Sequence, residues 1–225
     1  MEKKKYLSYN ERIINRFAEY GFKRKNRDFF IRNLSEDVTQ DLVIGHTTHG
    51  RTHVKYYQIN ANIRMPKVLK LGQEFGLYMR TAFYGSNIGE LMPKPRPPIL
   101  DWLIGEDTSE KYDNKMIDSM LYHVEKYAIP FLNKYCTPEA ILEGIRKRAY
   151  PNGYGDEFHA CIAFYLYGQK EDFLRFVEQR SYEMQFYDYG HEGHWDYKHP
   201  TEPLNRACKE FLDCAEKTEL LFNKP

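Results

Sequence analysis

The chain is poor in cysteine: four stand in 225 residues, at positions 136, 161, 208 and 214, and no two have C-x-x-C spacing. A disulfide framework or cysteine-built zinc site is therefore not expected, and reduced core thiols are. Surplus charge is also missing. The 33 Lys and Arg balance 32 Asp and Glu to a formal +1, which creates no global field for nucleic acid or an anionic membrane. Nucleic acid is not expected as a partner, and any such binding would need a local patch. No apolar run is long enough to span a bilayer, and the opening Met-Glu-Lys-Lys-Lys-Tyr leads straight into a charged amphipathic segment. Neither a signal peptide nor a membrane partner is expected, and the expected location is cytoplasmic. No segment recurs at a fixed period, which excludes a solenoid. A G-x-S-x-G elbow and a glycine-rich phosphate loop are both absent, so the sequence indicates neither an exposed serine nucleophile nor a nucleotide site, and no cofactor is expected.

Aromatic residues are plentiful, with 19 Tyr and 14 Phe. Four runs, 29–34, 38–46, 53–64 and 75–84, are rich in β-branched and aromatic residues and are separated by turn-forming residues, which predicts an antiparallel meander. In the third run Tyr57, Ile59, Ala61 and Ile63 alternate with Tyr56, Gln58, Asn60 and Asn62, so one face is predicted to be core and the other wet. A short helix is predicted before the meander. Ser8-Tyr9-Asn10-Glu11 has the form of a capping box, Ile13, Ile14, Phe17 and Ala18 form an apolar stripe, and Gly21 stands where a left-handed cap would close the helix.

Beyond the sheet the period becomes helical. Pro93, Pro95, Pro97 and Pro98 mark a rigid connector, and from about 109 onward Tyr112, Met116, Met120, Val124 and Tyr127 form one stripe, which Pro130 is expected to interrupt. Thr137-Pro138-Glu139 starts a helix through Ile141, Leu142 and Ile145. The run 158–167 is apolar on nearly all sides and is predicted to be an enclosed helix, paired with one over 171–184 and followed by a last helix over 202–222. The predicted fold is α+β, with an N-terminal helix and a four-stranded antiparallel meander packed against a C-terminal helical set. Its expected divisions are a sheet lobe at 1–86, a Pro-rich connector at 87–108 and a helical lobe at 109–225.

Two histidine groups offer metal-ligand chemistry: His46, His49 and His53 near the second hairpin, and His191, His194 and His199 in a later loop. If the fold brought the two loops together they could support a metal-assisted hydrolase, although neither has the helical H-E-x-x-H spacing that places two rings on one face. The polar sheet face is the stronger candidate. Tyr56, Gln58, Asn60 and Asn62 on one strand, with Tyr78, Arg80 and Tyr84 on the next, combine amide donors and acceptors with flat phenol rings and a guanidinium fork. Such a set suits a peptide or a small anionic ligand.

The helix leading into Tyr20-Gly21-Phe22-Lys23-Arg24-Lys25-Asn26-Arg27-Asp28-Phe29, followed by a Gln-containing strand and then by Gln58-Ile59-Asn60-Ala61-Asn62-Ile63, resembles a bacterial domain-of-unknown-function family, DUF family 4304. The resemblance covers about the first half of the chain. It implies a curved antiparallel sheet backed by helices and brings no established activity. Where such domains often carry a Gln-Lys-Ser-like strand, this chain has Ile44-Gly45-His46-Thr47. The expected function is a non-catalytic cytoplasmic binding protein that recognises a peptide or protein through the polar sheet face.

Overall fold

The computed structural model describes residues 10–48, 54–77, 84–95, 100–105, 108–147, 157–184 and 206–223. The chain is α+β, and it forms two compact units: residues 1–66 with 81–137, and residues 67–80 with 138–225.

The first unit begins with helix α1 (Glu11–Glu19). Its N-cap is Asn10, whose side chain accepts from the Arg12 amide; Ser8, the expected cap, lies outside the described residues. At the other end Gly21 has φ +82°, the Gly21 amide donates to the Ala18 carbonyl, and the Phe22 amide donates to Phe17. This is a Schellman closure, with Phe17 and Phe22 both buried beside it.

Six strands follow: β1 (Lys23–Arg24), β2 (Phe29–Asn33), β3 (Thr39–Thr47), β4 (Val54–Arg64), β5 (Tyr84–Asn87) and β6 (Trp102–Gly105). The sheet is antiparallel in the order β1-β2-β3-β4-β5, and β6 also pairs with β4. Strand β4 is therefore central. It has β3 along one edge, and β5 and β6 end to end along the other. Three of the expected strands coincide with β2, β3 and β4.

The expected fourth strand, 75–84, is corrected by the structure. Pro66 instead opens helix α2 (Pro66–Glu74), which belongs to the second unit from Lys67 onward, and the Leu77 amide donates back to the Gly72 carbonyl around Gly76 at φ +78°. Residues 75–77 thus close a helix; 78–83 lie outside the described residues, and the sheet is extended by β5.

The strand alternation separates two faces. On one, Phe30, Leu42, Ile44, Tyr57, Ile59, Ala61 and Ile63 are all buried. In the same unit this face meets α1, through Phe17 edge-on to Phe30 at 4.9 Å, and the long helical run that starts with α4 (Glu110–His123). That run passes through a π-helical segment, Val124–Ala128, into α5 (Ile129–Lys134). Pro130 does not interrupt it, contrary to expectation: the missing N–H is accommodated by widening the preceding turn. The buried stripe is Ile117, Met120, Val124 and Ala128, while Tyr112 is exposed. The expected connector region carries structure of its own, α3 (Ile88–Leu91) with an Asn87 capping box, and then β6.

In the second unit α7 (Glu157–Tyr167) is the enclosed helix, with Ala160, Cys161, Ile162, Ala163 and Phe164 buried. It packs with α6 (Pro138–Arg146), α8 (Lys170–Met184) and α9 (Arg206–Phe222). The His159 ring lies against Gly72 of α2. Cysteines 161, 208 and 214 are buried free thiols, as expected, but Cys136 is exposed because it follows the end of α5 rather than facing the core.

Two polar residues join the first unit's sheet to its helix ends. Arg32 of β2 donates through Nη1 to the Tyr20 carbonyl at 3.0 Å and through Nη2 to Asn133 Oδ1 at 2.9 Å, and both Nε and Nη2 reach Gln40 Oε1. Gln40, fully buried on β3, donates through Nε2 to the Leu132 carbonyl at 2.5 Å. Replacing it leaves the Arg32 guanidinium one acceptor short and takes the Gln40 donor from the helix-end carbonyls. Gln40→Leu is expected to cost about 3 kcal/mol and to lower Tm by roughly 6–12 °C, read by thermal unfolding. Gly21→Ala, strained at φ +82° and tight against Arg32, should cost about 1 kcal/mol.

Candidate polar site on the sheet

Opposite the helix-covered face, register places Phe29, Ile31, Asp41, Val43, Gly45, Tyr56, Gln58, Asn60, Asn62 and Arg64 on one side of the sheet. Most of these are half-buried. Tyr56, Gln58, Asn60 and Asn62 therefore share a face, in alternation with Tyr57, Ile59, Ala61 and Ile63. The other expected members are not assembled with them. Tyr78 and Arg80 lie outside the described residues. The Tyr84 backbone pairs with Ile63, a register position of the buried set, and its side chain is outside the described residues.

The four placed residues differ in their bonding. Gln58 donates through Nε2 to Asp101 Oδ1 at 2.6 Å. Asn62 donates through Nδ2 to Asp41 Oδ1 at 2.7 Å, which holds its amide flat over β5. A Cβ at Gly85 would come within 2.2 Å of Asn62 Oδ1, so a larger residue there would displace the Asn62 amide. Asn60 lies between them, opposite Val43 and Asn87, and its amide has no partner among the described residues.

Asp41 is the feature that sequence reasoning missed. It is fully buried at 0% exposure, although it stands on the polar face, and it accepts from Asn62 and, at 2.5 Å, from Arg64 Nε. The Arg64 guanidinium in turn lies over the Phe29 ring at 5.0 Å. Burial pushes the Asp41 carboxyl above the usual carboxylate range, and its bonds to Arg64 and Asn62 oppose that rise. A signal was available: aspartate is depleted in strands, and one inside an otherwise apolar run calls for a cation within reach.

No family model, curated protein or solved structure matches the chain.

The histidine groups form no metal centre among the described residues, where no cluster of three or more His, Cys, Asp or Glu could hold an ion. His46 is exposed on β3, 5.7 Å from the Tyr57 ring, and burial with Lys55 nearby lowers its pKa. His49, His53, His191, His194 and His199 lie outside the described residues.

Two outcomes check this geometry. Arg64→Met leaves a buried carboxylate without its cation and should cost about 3 kcal/mol, read from the urea midpoint at neutral pH. Because the folded Asp41 pKa is raised, the folded state holds the proton more tightly than the unfolded chain. The stability of the native protein relative to Asp41→Asn should therefore fall as pH rises from about 4 through the raised value. A relative stability that climbs over that window would contradict the assignment.

Proposed function

We propose that the chain is a non-catalytic, cytoplasmic binding protein that recognises a peptide or protein through the face carrying Tyr56, Gln58, Asn60 and Asn62. The observation that supports it most directly is the Asn60 amide, uncommitted between two amides that are each fixed by a carboxylate. Amides held in place lose little freedom on binding, and a free amide beside them can both donate and accept along an extended backbone. Half-buried Phe29, Ile31 and Val43 on the same face supply apolar area beside the polar row. No helix of the described residues is long and apolar enough to cross a membrane, which accords with a protein working in water.

The resemblance to DUF family 4304 belongs to the same proposal. Its Gly-Phe-basic element here builds the α1 closure and β1, and its Gln-containing strand supplies Gln40.

A peptide array probed with the purified chain tests the proposal. Asn60→Ala should weaken binding to the selected peptides about fivefold, the worth of one hydrogen bond, with Tm unchanged within a degree or two. Unchanged affinity would remove this face from the site. An equal loss of Tm and binding would make Asn60 structural.

A further inference from the structure

A different surface centres on Lys126, in the π-helical segment that precedes Pro130. Proline has no N–H to give the Lys126 carbonyl, and its ring crowds that carbonyl. The helix opens to i→i+5 bonding over Val124–Ala128, with the Ile129 amide donating to Val124. Tyr122 and Lys126, four residues apart, are neighbours on one side of the helix. The Lys126 ammonium lies 5.1 Å from the Tyr122 ring centroid and 5.5 Å from that of Tyr127, and it donates to the Tyr122 hydroxyl at 2.6 Å.

His123 braces both rings, edge-on to Tyr122 at 5.3 Å and tilted against Tyr127 at 5.9 Å. Its own orientation is fixed by Nδ1 bonded to the Ser119 carbonyl at 2.7 Å; a carbonyl only accepts, so Nδ1 bears the proton. The far edge of the imidazole meets Trp102 of β6 at 5.9 Å. The two tyrosines are thus positioned by packing.

The charge pattern around this group is asymmetric. Neighbouring carboxylates on the same run are taken by α1, Asp118 by Arg12 and Glu125 by Arg16. Lys126 has no carboxylate partner among the described residues. It is exposed, as is Tyr122 at 52%. The Tyr122 oxygen already accepts from Lys126, so its own proton remains to be donated, and the ammonium, which also bonds Tyr127, keeps a further N–H to give. The Lys126 ammonium and the Tyr122 hydroxyl are adjacent, 2.6 Å apart. The hydrogen bond to Tyr122 holds the Lys126 pKa above the ordinary lysine value, which keeps the cation charged.

We infer that Tyr122, Lys126 and Tyr127 form a binding site for a phosphate-type oxyanion, one oxygen on the Lys126 ammonium and a second on the Tyr122 hydroxyl. Charge-assisted bonds from a preordered pair favour such a group, and the adjoining Tyr127 and His123 rings offer flat area to an aromatic ester of it. Free phosphate and a phosphorylated aromatic side chain share this chemistry.

Amide NMR shifts of residues 119–128, followed while inorganic phosphate or phenyl phosphate is added, separate the two sources. Saturable shifts with Kd on the order of millimolar are expected, as suits an exposed site. Tighter binding of phenyl phosphate would mark an aryl phosphate as the ligand; equal affinity would mark free phosphate. Lys126→Met should weaken binding about tenfold and Tyr122→Phe about threefold, both with unchanged far-UV circular dichroism. Lys111→Met removes an exposed lysine earlier on the same helix and should change nothing. Absent or non-saturable shifts, or equal losses in Lys111→Met and Lys126→Met, would overturn the site.

Discussion

A half-buried cation, Arg32, organises the first unit. Arg32 has no carboxylate partner among the described residues; its guanidinium is satisfied by the Tyr20 carbonyl, Asn133 and Gln40, with the Phe22 ring 4.8 Å away. Burial lowers its pKa below the ordinary arginine value. What offsets that cost is the negative end of the helix dipole: Tyr20 caps α1, and Gln40 carries the link on to the Leu132 and Tyr135 carbonyls at the end of α5. Helix ends leave carbonyls without intrahelical partners. Here a strand arginine and a strand glutamine supply the donors, and that fixes two helices on one face of the sheet.

With one face closed in this way, the other keeps a row of half-buried polar residues. The two faces treat polar residues differently. On the covered face the polar groups are spent on helix ends, whereas on the opposite face they are spent on one another, Asp41 with Asn62 and Arg64, Gln58 with Asp101. Asn60 has no such commitment among the described residues. The π-helical segment adds a second, separate surface. There Lys126 lies beside the Tyr122 and Tyr127 rings, one turn before Pro130.

The six-stranded sheet was legible in part. Runs with strict alternation and β-branched residues declared themselves, and β4 shows the period that its sequence predicts. The run at 75–84 imitated that pattern, yet Pro66 and Gly76 carry the stronger punctuation, proline at a first helical position and glycine at a left-handed closure. Reading the punctuation before the period would have found α2. Two short strands, β1 and β6, offered too few residues for any periodicity. Pro130 misled for a different reason: a proline removes one hydrogen bond, and packing of Val124, Ala128 and Leu132 against the sheet side compensates for a widened turn.

Local order, then, was written in the chain: which strand residues alternate, where Gly21 closes α1, where Pro138 begins α6, and that α7 is enclosed. These depend on neighbours within a few positions, and backbone sterics with burial period are enough to specify them. Only the tertiary structure decided that Arg32 would meet Tyr20 and Asn133, that Asp41 would be sealed beside Arg64, and that Gly85 would lie beneath Asn62. Those pairings join residues from 12 to 101 positions apart. They depend on strand register and on helix ends arriving at the same place, which no local pattern encodes.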